Sequence, residues 1–466
     1  MQKTIILGAG PAGLAVAYKI SEEGKESLII EKEKRVGGLS KSFKYKGFTF
    51  DIGPHLFKTR NKEITALWDV MSKKKYADNK HAPAMLYNKK VYESMTDIIY
   101  SLPKLKFLAA ALSTLSAKIF DKKINSGEDW ISATRGRIIY KKFYKPREEK
   151  FWGTSLDKID KEWYEKRFGE HKLKGLFAGF KNRILGKSGN NRAIDTTYHP
   201  QKGAGSMYEA LASIIKKRKK SRFIFNSVPE KIKHKGKKIK SIIIRNLKTG
   251  RLREIKAGEL ISSIPIMELI KKLEPKAPEE ILEICKELKY RDLILVNLIA
   301  ELKGEMKHSF FNVYSNDIKA FRITNFENLS EKMGNGTKMK PICIEYNCLK
   351  NDFLWNMNKK KIIEMAKEEL EKIGFTKKNK IKNGFVVKIE NAYPIHSIGF
   401  QEKTRKLREY LMRFENLQSI GRNGVFTYNQ MRHSVESGLR AGEKALGIRK
   451  DFGKIETTDE GRDVLD

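Results

Sequence analysis

The sequence contains few of the residues that build cross-linked or metal-bound proteins. Its 466 residues include only three cysteines, Cys285, Cys343 and Cys348. These form neither a C-x-x-C pair nor a cysteine and histidine cluster at zinc-ligand spacing, which argues against a disulfide scaffold and a structural zinc site. We therefore predict no metal site and expect a reducing, cytoplasmic environment.

Proline and long apolar runs are also scarce. The chain has 12 prolines, 40% hydrophobic residues and 32% charged residues, a composition that excludes collagen-like, mucin-like and wholly disordered proteins. The apolar N-terminus IILGAGPAGLAVAYKI is interrupted by glycines, lacks a cationic leader and is too short to span a bilayer. We expect it to be folded structure rather than a signal peptide.

Acidic residues are few compared with basic ones, 56 against 95, and the formal net charge is +39. The lysines are scattered, as is typical of solvated helix faces. An alternative is attraction to anionic lipid headgroups, acidic glycans or nucleotide sugars. No motif of interleaved basic and aromatic residues accompanies the charge, so we predict no nucleic-acid partner.

The first forty residues carry the clearest motif. A short apolar strand, Lys3–Leu7, is followed by G-x-G-x-x-G, formed by Gly8, Gly10 and Gly13, and by a helical segment. In such a turn the three glycines allow a tight bend, a close approach to a pyrophosphate and close packing of helix on strand. The helix N-terminus favours the negative charge of the diphosphate.

A second strand, Ser27–Ile30, ends at Glu31. A carboxylate about 20 residues after the glycine motif can accept hydrogen bonds from an adenosine ribose. An unrelated glycine-rich turn and surface glutamate is the alternative interpretation. The order of strand, turn, helix, strand and acid predicts a dinucleotide-binding βαβ unit.

The continuation of the chain resembles one superfamily of flavoenzymes. Gly37-Gly38 follow the acid, Asp51-Ile52-Gly53 close a small strand pair, and GRNGVFTYNQMRHSVESG lies near the C-terminus. These segments resemble the amine oxidase, protoporphyrinogen oxidase and UDP-galactopyranose mutase superfamily, which implies FAD as the cofactor. The FAD contacts that the resemblance implies are Gly8, Gly10, Pro11, Ala12, Gly13, Glu31, Lys32, Gly37, Gly38, Leu39, Gly53, Pro54, His55, Val228, Gly421, Arg422, Met431 and Ser434.

The resemblance also implies an α/β fold: a Rossmann-like FAD-binding domain of the glutathione reductase-2 type, interleaved with an α+β substrate domain. Residues 1–95, 201–265 and 393–450 are assigned to the FAD domain. A helical part, 96–200, and a sheet-rich part, 266–392, form the substrate domain, and 451–466 are a mobile tail. A further expectation concerns the apolar segment Asp97–Ile119, which is predicted to be a core helix or, alternatively, a membrane-contact surface.

Four residues are implied to bind substrate by resemblance to the UDP-galactopyranose mutases. Trp152 would stack on uracil, while Arg322, Tyr393 and Tyr428 would bind the diphosphate. Packing or surface roles are the alternatives for each. His55 matches a mutase position beside the flavin and is the catalytic candidate, with a structural histidine as the alternative.

Three positions depart from the mutase pattern: His171 aligns where a second arginine is expected, Lys58 replaces a histidine, and Arg432 replaces an acid. Three functions therefore remain open. The first is an FAD-dependent oxidoreductase that transfers a hydride from a small molecule to flavin N5. The second is a redox-neutral mutase acting on a UDP-sugar. The third is a noncatalytic FAD protein that docks on a membrane. The sequence leaves the oligomeric state and the electron acceptor unassigned.

Overall fold

A computed structural model of the chain describes residues 3–79, 83–117, 124–168 and 197–449. Its first layer is a five-stranded sheet in which every neighbouring pair is parallel. The strands, in spatial order, are Leu417–Ser419, Glu259–Ser262, Thr4–Leu7, Ser27–Ile30 and Ser221–Ile224. Three distant stretches of the chain therefore build one sheet, as expected for an interleaved α/β domain.

The first helix, Pro11–Glu22, is almost entirely buried between this sheet and the helix Met431–Ala445. Small residues permit the close contact: a Cβ placed on Gly438 would lie 2.2 Å from the carbonyl oxygen of Ala12, and one on Gly442 would lie 2.9 Å from Cβ of Lys19. The first and the last of the described helices are thus packed directly against each other.

A second, seven-stranded sheet forms the other layer. Its strands, in spatial order, are Ile381–Pro394, Tyr290–Glu301, Met339–Cys348, Arg322–Asn325, Phe310–Val313, Ala84–Tyr87 and Lys90–Tyr92. All neighbouring pairs are antiparallel except Phe310–Val313 with Ala84–Tyr87, which is parallel. The two strands between residues 84 and 92 belong to this sheet, so the change of layer precedes residue 84, whereas the sequence predicted it at 96.

Smaller sheets lie beside these two layers. One has four strands, in the spatial order Leu252–Lys256, Lys238–Asn246, Ser227–Lys235 and Leu273–Glu274. Two others are strand pairs, Ser42–Tyr45 with Phe48–Asp51 and Tyr76–Asn79 with Thr197–Pro200. Between the strands Ser221–Ile224 and Ser227–Lys235, Asn226 adopts a φ of 51°. This left-handed residue turns the chain from the parallel sheet into the next strand.

Helices cover both sheets, and an aromatic-rich helical cluster lies over one end of the second sheet. The helices of at least six residues are Pro11–Glu22, Lys62–Ser72, Met95–Tyr100, Lys104–Ser116, Gly127–Arg135, Lys145–Trp152, Glu162–Phe168, Ala204–Lys217, Ile266–Lys271, Glu279–Glu287, Lys359–Ile373, Phe400–Met412 and Met431–Ala445. Shorter helical turns lie at Arg137–Ile139, Tyr140–Tyr144, Phe326–Leu329, Phe353–Asn356 and Gly421–Gly424. In the described ranges, none of the helices has the length and apolar character needed to cross a bilayer.

Candidate functional site

The glycine turn of the sequence motif lies at the carboxyl end of the central strand. Gly8 has a φ of 96°, and a Cβ there would lie 2.4 Å from Oγ of Ser263. A Cβ on Gly13 would lie 1.9 Å from the carbonyl oxygen of Gly8. Gly8 and Gly13 are therefore required by the protein's own packing. Gly10 is different, because its Cβ would meet nothing closer than Cα of Gly38, at 3.7 Å.

The helix Pro11–Glu22 begins at Gly10, and no side chain caps its N-terminus. Pro11 occupies the first turn, where its missing N–H is not needed. Ala12 is buried, and the helix dipole adds partial positive charge at this end. The turn can therefore accept a phosphate without displacing any side chain.

Glu31 stands directly after the second strand, where a ribose-binding acid is expected. Its carboxylate is buried and accepts hydrogen bonds from the backbone N–H groups of Ala9, at 2.6 Å, and Glu33, at 2.9 Å. Burial raises the pKa of Glu31, and these two N–H groups act against that rise. Each oxygen keeps a second lone pair that can accept from a sugar hydroxyl.

Gly37 and Gly38 pack against the glycine turn. Both have positive φ values, 110° and 52°, and the Gly37 N–H donates to the carbonyl of Ala9 at 2.9 Å. A Cβ on Gly38 would lie 3.0 Å from Cα of Gly10. This double glycine therefore passes close to the first turn.

The C-terminal segment contacts the same helix. Gly421 has a φ of 71°, a Cβ there would lie 3.0 Å from Cβ of Ala12, and its N–H donates to Oγ of Ser437. Met431 begins the last helix, and Ser434 is buried in its first turns. The predicted contacts from both ends of the chain thus meet around the start of one helix.

Two other predicted cofactor residues follow the second strand. Val228 belongs to the strand Ser227–Lys235, and the preceding Ser227 N–H donates to the carbonyl of Glu31 at 3.0 Å. Lys32 is exposed. The backbone near Val228 is therefore beside the backbone of Glu31, whereas the Lys32 side chain is directed to solvent.

The segment Asp51–His55 separates this cradle from the second sheet. Asp51 is fully buried, lies 3.1 Å from Nε2 of His199 and accepts from the Ala204 N–H at 2.9 Å. The nearby imidazole lowers the pKa of Asp51, while burial acts to raise it. Asp51 therefore caps the helix Ala204–Lys217, a structural role that its place in the sequence motif did not predict.

Gly53, Pro54 and His55 continue toward the interior. Gly53 has a φ of 77°, and a Cβ there would lie 3.0 Å from Nη2 of Arg322. Nε2 of His55 lies 3.0 Å from the carbonyl oxygen of Leu39, so this nitrogen donates. Burial lowers the pKa of His55. The imidazole is accordingly neutral at neutral pH, with Nδ1 unprotonated.

Beyond Gly53 lies a chamber of aromatic and cationic side chains. The rings of Tyr393 and Tyr428 stack with centroids 5.2 Å apart and an interplanar angle of 13°. The Arg422 guanidinium lies over both rings, at 5.4 and 4.9 Å, and donates to the carbonyl of Asn429. The structure thus brings together three residues that the sequence placed in the cofactor and substrate sites.

Arg291 is the residue of this chamber that the sequence analysis missed. It is 0% exposed, and its guanidinium lies 4.1 Å from the ring centroid of Phe151 and 4.5 Å from that of Tyr393. Among the residues that the structure describes, none is a hydrogen-bond partner for any of its three guanidinium nitrogens. Burial lowers its pKa to about 10, with Arg147 adding to the effect and the tyrosines opposing it.

Such a charge is costly to bury alone. The sequence offers one sign of this residue: an arginine, which stays charged, stands in the mostly apolar segment YRDLILVNLIAE. A buried guanidinium without a hydrogen-bond partner among the described residues is a candidate anion-binding group.

Arg322 has a different environment from the predicted one. Its Nε and Nη2 donate to the two carboxylate oxygens of Glu345 at 2.8 and 2.9 Å, and both residues are buried. This bidentate pair occupies the guanidinium edge that a diphosphate would use. The arrangement favours a positioning role for Arg322, which lies beside Gly53.

Trp152 is also placed differently from a base-stacking residue. It is 0% exposed, its indole N–H donates to the Tyr164 hydroxyl at 2.9 Å, and that hydroxyl donates to Glu148 at 3.0 Å. Glu148 in turn pairs with the buried Arg147. This network agrees with the packing alternative, because both faces of Trp152 are enclosed by protein.

The structure describes two of the three residues that depart from the mutase pattern, Lys58 and Arg432. Arg432 donates to the backbone carbonyl of Lys58 at 2.9 Å, which joins the last helix to the segment after His55. His171 lies outside the described residues, as does the predicted tail 451–466. The two visible departures therefore contact each other.

Comparisons with known proteins agree with this architecture. Residues 6–71 match the family model of the NAD(P)-binding Rossmann-like domain. A 52-residue stretch is 48% identical to 4,4'-diapophytoene desaturase (4,4'-diaponeurosporene-forming) of Staphylococcus aureus, covering 11% of this chain and 10% of that protein. The chain thus matches about a tenth of the length of this curated relative.

Solved structures extend the similarity to the whole chain. A reduced UDP-galactopyranose mutase superposes with a TM-score of 0.83, at 20% identity over 98% of this chain and 97% of the mutase. A protein from Exiguobacterium assigned as a protoporphyrinogen oxidase gives 0.73, at 17% identity over 96% and 99%. An oxidoreductase from Methanosarcina mazei gives 0.63, at 15% identity over 96% and 100%.

These similarities confirm the predicted α/β class and the Rossmann-like nucleotide-binding domain. The match over residues 6–71 also agrees with the predicted dinucleotide-binding unit. The chain shares its fold with UDP-galactopyranose mutase and with the protein assigned as a protoporphyrinogen oxidase.

Proposed function

We propose that the chain is an FAD-dependent oxidoreductase whose small-molecule substrate carries an anionic group. The substrate class is inferred from Arg291, because a fully buried guanidinium without a hydrogen-bond partner among the described residues needs a counter-charge. An anionic substrate group would supply that charge at the guanidinium nitrogens of Arg291, beside the rings of Phe151 and Tyr393.

The cofactor side of the proposal rests on the cradle around the first helix. Gly10 and Gly38 leave room at the helix N-terminus for a diphosphate, and Glu31 offers carboxylate lone pairs to the ribose. FAD, when bound, supplies the acceptor for a hydride from the substrate. The residues of this chain hold the dinucleotide and orient the substrate.

The remaining groups prepare the chamber for this reaction. Arg422 lies over the stacked Tyr393 and Tyr428 rings and thereby adds positive charge beside the substrate position. The neutral His55 offers an unprotonated Nδ1 as a hydrogen-bond acceptor. The buried aromatic cluster that contains Phe151 excludes water, which strengthens each charge interaction.

A redox-neutral mutase acting on a UDP-sugar is the second candidate. It is favoured by the similarity to UDP-galactopyranose mutase over nearly the full chain and by the arginines and tyrosines of the chamber, which suit a diphosphate. Two observations weigh against it, because Trp152 is enclosed and Arg322 is paired with Glu345. The same anion-binding argument serves both candidates.

An anaerobic screen of the purified yellow protein tests the proposal. Amines, porphyrinogens, polyenes, anionic sugars and UDP-hexoses are each added, and the absorbance of the oxidised flavin is followed. An oxidoreductase predicts bleaching by an anionic compound. If no compound bleaches the flavin, but a UDP-hexose is isomerised by the dithionite-reduced protein without net redox change, the mutase candidate replaces it. If the protein binds no flavin even after reconstitution, both are wrong.

A further inference from the structure

The helix Lys104–Ser116 directs its large apolar residues toward solvent. Leu105, Leu108, Leu112 and Leu115 are 83%, 52%, 57% and 41% exposed. Their spacing of three, four and three residues places them along one side of the helix, over a length of roughly 15 Å. We call these four residues the leucine face. A surface helix of a globular protein normally directs such a stripe toward its core.

The packing on the opposite side fixes this orientation. Ala110 and Thr114 are buried, and the Thr114 hydroxyl donates to the carbonyl of Arg135 at 2.7 Å. A Cβ on Gly136 would lie 2.7 Å from the backbone nitrogen of Thr114. The helix therefore rests on the backbone at Gly136 through its small residues. Turning the leucines inward would drive them into that backbone.

A neighbouring segment enlarges the apolar surface. Ile138 is 40% exposed and lies across a groove of about 820 Å³ from Leu112 and Leu115. Contiguous apolar surface of this kind marks an interaction site on soluble proteins.

The border of the leucine face is basic. Lys104, Lys106, Arg137 and Lys141 are exposed, and neither Lys104–Ser116 nor Arg137–Tyr144 contains an acidic residue. Burial and the charge of Lys106 lower the pKa of Lys142, a further cation beside this border. Leucines flanked by lysines are the arrangement of helices that lie in a membrane interface.

We propose that the leucine face docks the protein onto an anionic phospholipid surface, with the bordering cations at the headgroups and the leucines among the acyl chains. The choice of an anionic membrane over a second copy of the chain rests on charge. A second copy of the chain would bring the same cations together, and the net charge of +39 would add to that repulsion. Anionic headgroups instead attract each lysine or arginine close to the surface.

Vesicle sedimentation with the full-length holoprotein tests the proposal. Vesicles of phosphatidylcholine with phosphatidylglycerol are compared with vesicles of phosphatidylcholine alone, at low and high salt. We expect binding to the anionic vesicles that weakens with salt. The double variant Leu108→Glu/Leu112→Glu is expected to partition about tenfold more weakly or worse.

A closely matched control exists on another surface. Leu247 and Leu252 are 52% and 57% exposed, the same exposures as the test pair. The variant Leu247→Glu/Leu252→Glu therefore adds the same charge and removes the same side chains elsewhere. It is expected to keep wild-type binding. Flavin absorbance and thermal melting of both variants verify that each is folded.

Several outcomes would overturn the proposal. These are no binding to anionic vesicles at low salt, equal binding to neutral vesicles, and equal losses in both double variants, which would indicate a general charge effect. A dimer that becomes a monomer only in the Leu108→Glu/Leu112→Glu variant would assign the face to self-association instead.

Discussion

The glycine turn and the arginine chamber are both proposed to contact the bound cofactor or its substrate, but they are built in opposite ways. The turn is made by backbone that excludes side chains, and most of its residues come from the first 40 positions. The chamber is made by large side chains from four distant segments, and one of its cations, Arg291, has no hydrogen-bond partner among the described residues. Sterics therefore determine the first region, and electrostatics the second.

The largest effect is expected in the turn. Gly13→Ala places a methyl group 1.9 Å from the carbonyl oxygen of Gly8, a backbone atom that cannot move without displacing the central strand. We expect the free energy of unfolding to fall by about 3 kcal/mol or more, with loss of bound flavin. Urea denaturation and flavin content check this. A stable, fully loaded variant would show that the turn is less rigid than its contacts imply.

The next effect separates stability from function in the chamber. Arg291→Met keeps the volume and removes the buried charge, so the apoprotein should become more stable by about 1–3 kcal/mol. Affinity for the anionic substrate found in the flavin screen should drop about 30-fold or more. The exposed Arg253 provides the control, and Arg253→Met should change neither quantity. Destabilisation by Arg291→Met would mean that the charge is already compensated.

A third prediction concerns acid. His396 is buried, stacks on Phe400 at 4.1 Å and accepts from the Tyr428 N–H; burial lowers its pKa to about 3. Because an unfolded histidine takes up its proton near pH 6.5, the unfolded state binds more protons below that pH, and stability falls as pH drops. Between pH 6.5 and 4.5 this group should cost roughly 2–3 kcal/mol.

The variant His396→Phe isolates that contribution. Its free energy of unfolding, followed by urea denaturation from pH 7 to 4.5, should decline less steeply than that of the wild type. Parallel pH profiles of the two proteins would show that His396 is not the titrating group.

The smallest effect tests which glycine serves the cofactor. Gly10→Ala meets no atom closer than 3.7 Å and keeps an allowed φ of −79°. The apoprotein should change by less than about 1 kcal/mol, while FAD affinity should weaken about tenfold, because the added methyl lies where the diphosphate approaches. Titration of apoprotein with FAD measures this. An unchanged dissociation constant would place the diphosphate elsewhere.

The turn could be predicted from sequence because its physical requirements are local. Gly8, Gly13 and Gly38 are needed for contacts within a single βαβ unit and its continuation, and the spacing alone expresses this. The strand Ser27–Ile30 was predicted at its observed bounds. All four of its residues are buried, and a short apolar run between turns is typical of a strand that is enclosed on both faces.

The contacts of the chamber could not be predicted from the sequence, because tertiary packing determines which of its residues lie next to each other. Arg322 was predicted to bind substrate, yet the register of two antiparallel strands places Glu345 directly opposite it. The same register across Tyr290–Glu301 and Ile381–Pro394 brings Arg291 to Tyr393. Nothing in either strand's own sequence specifies which residue of the other it will face.

The contact between the helices Pro11–Glu22 and Met431–Ala445 can form only after a long stretch of chain has been synthesised. The helix Pro11–Glu22 leaves the ribosome well before Gly438 and Gly442, on which it packs, because these follow more than 400 residues later. At ordinary translation rates that delay is on the order of a minute. Throughout this interval the nascent chain carries an unfinished nucleotide site, so we expect cofactor loading to wait until the helix Met431–Ala445 has been made.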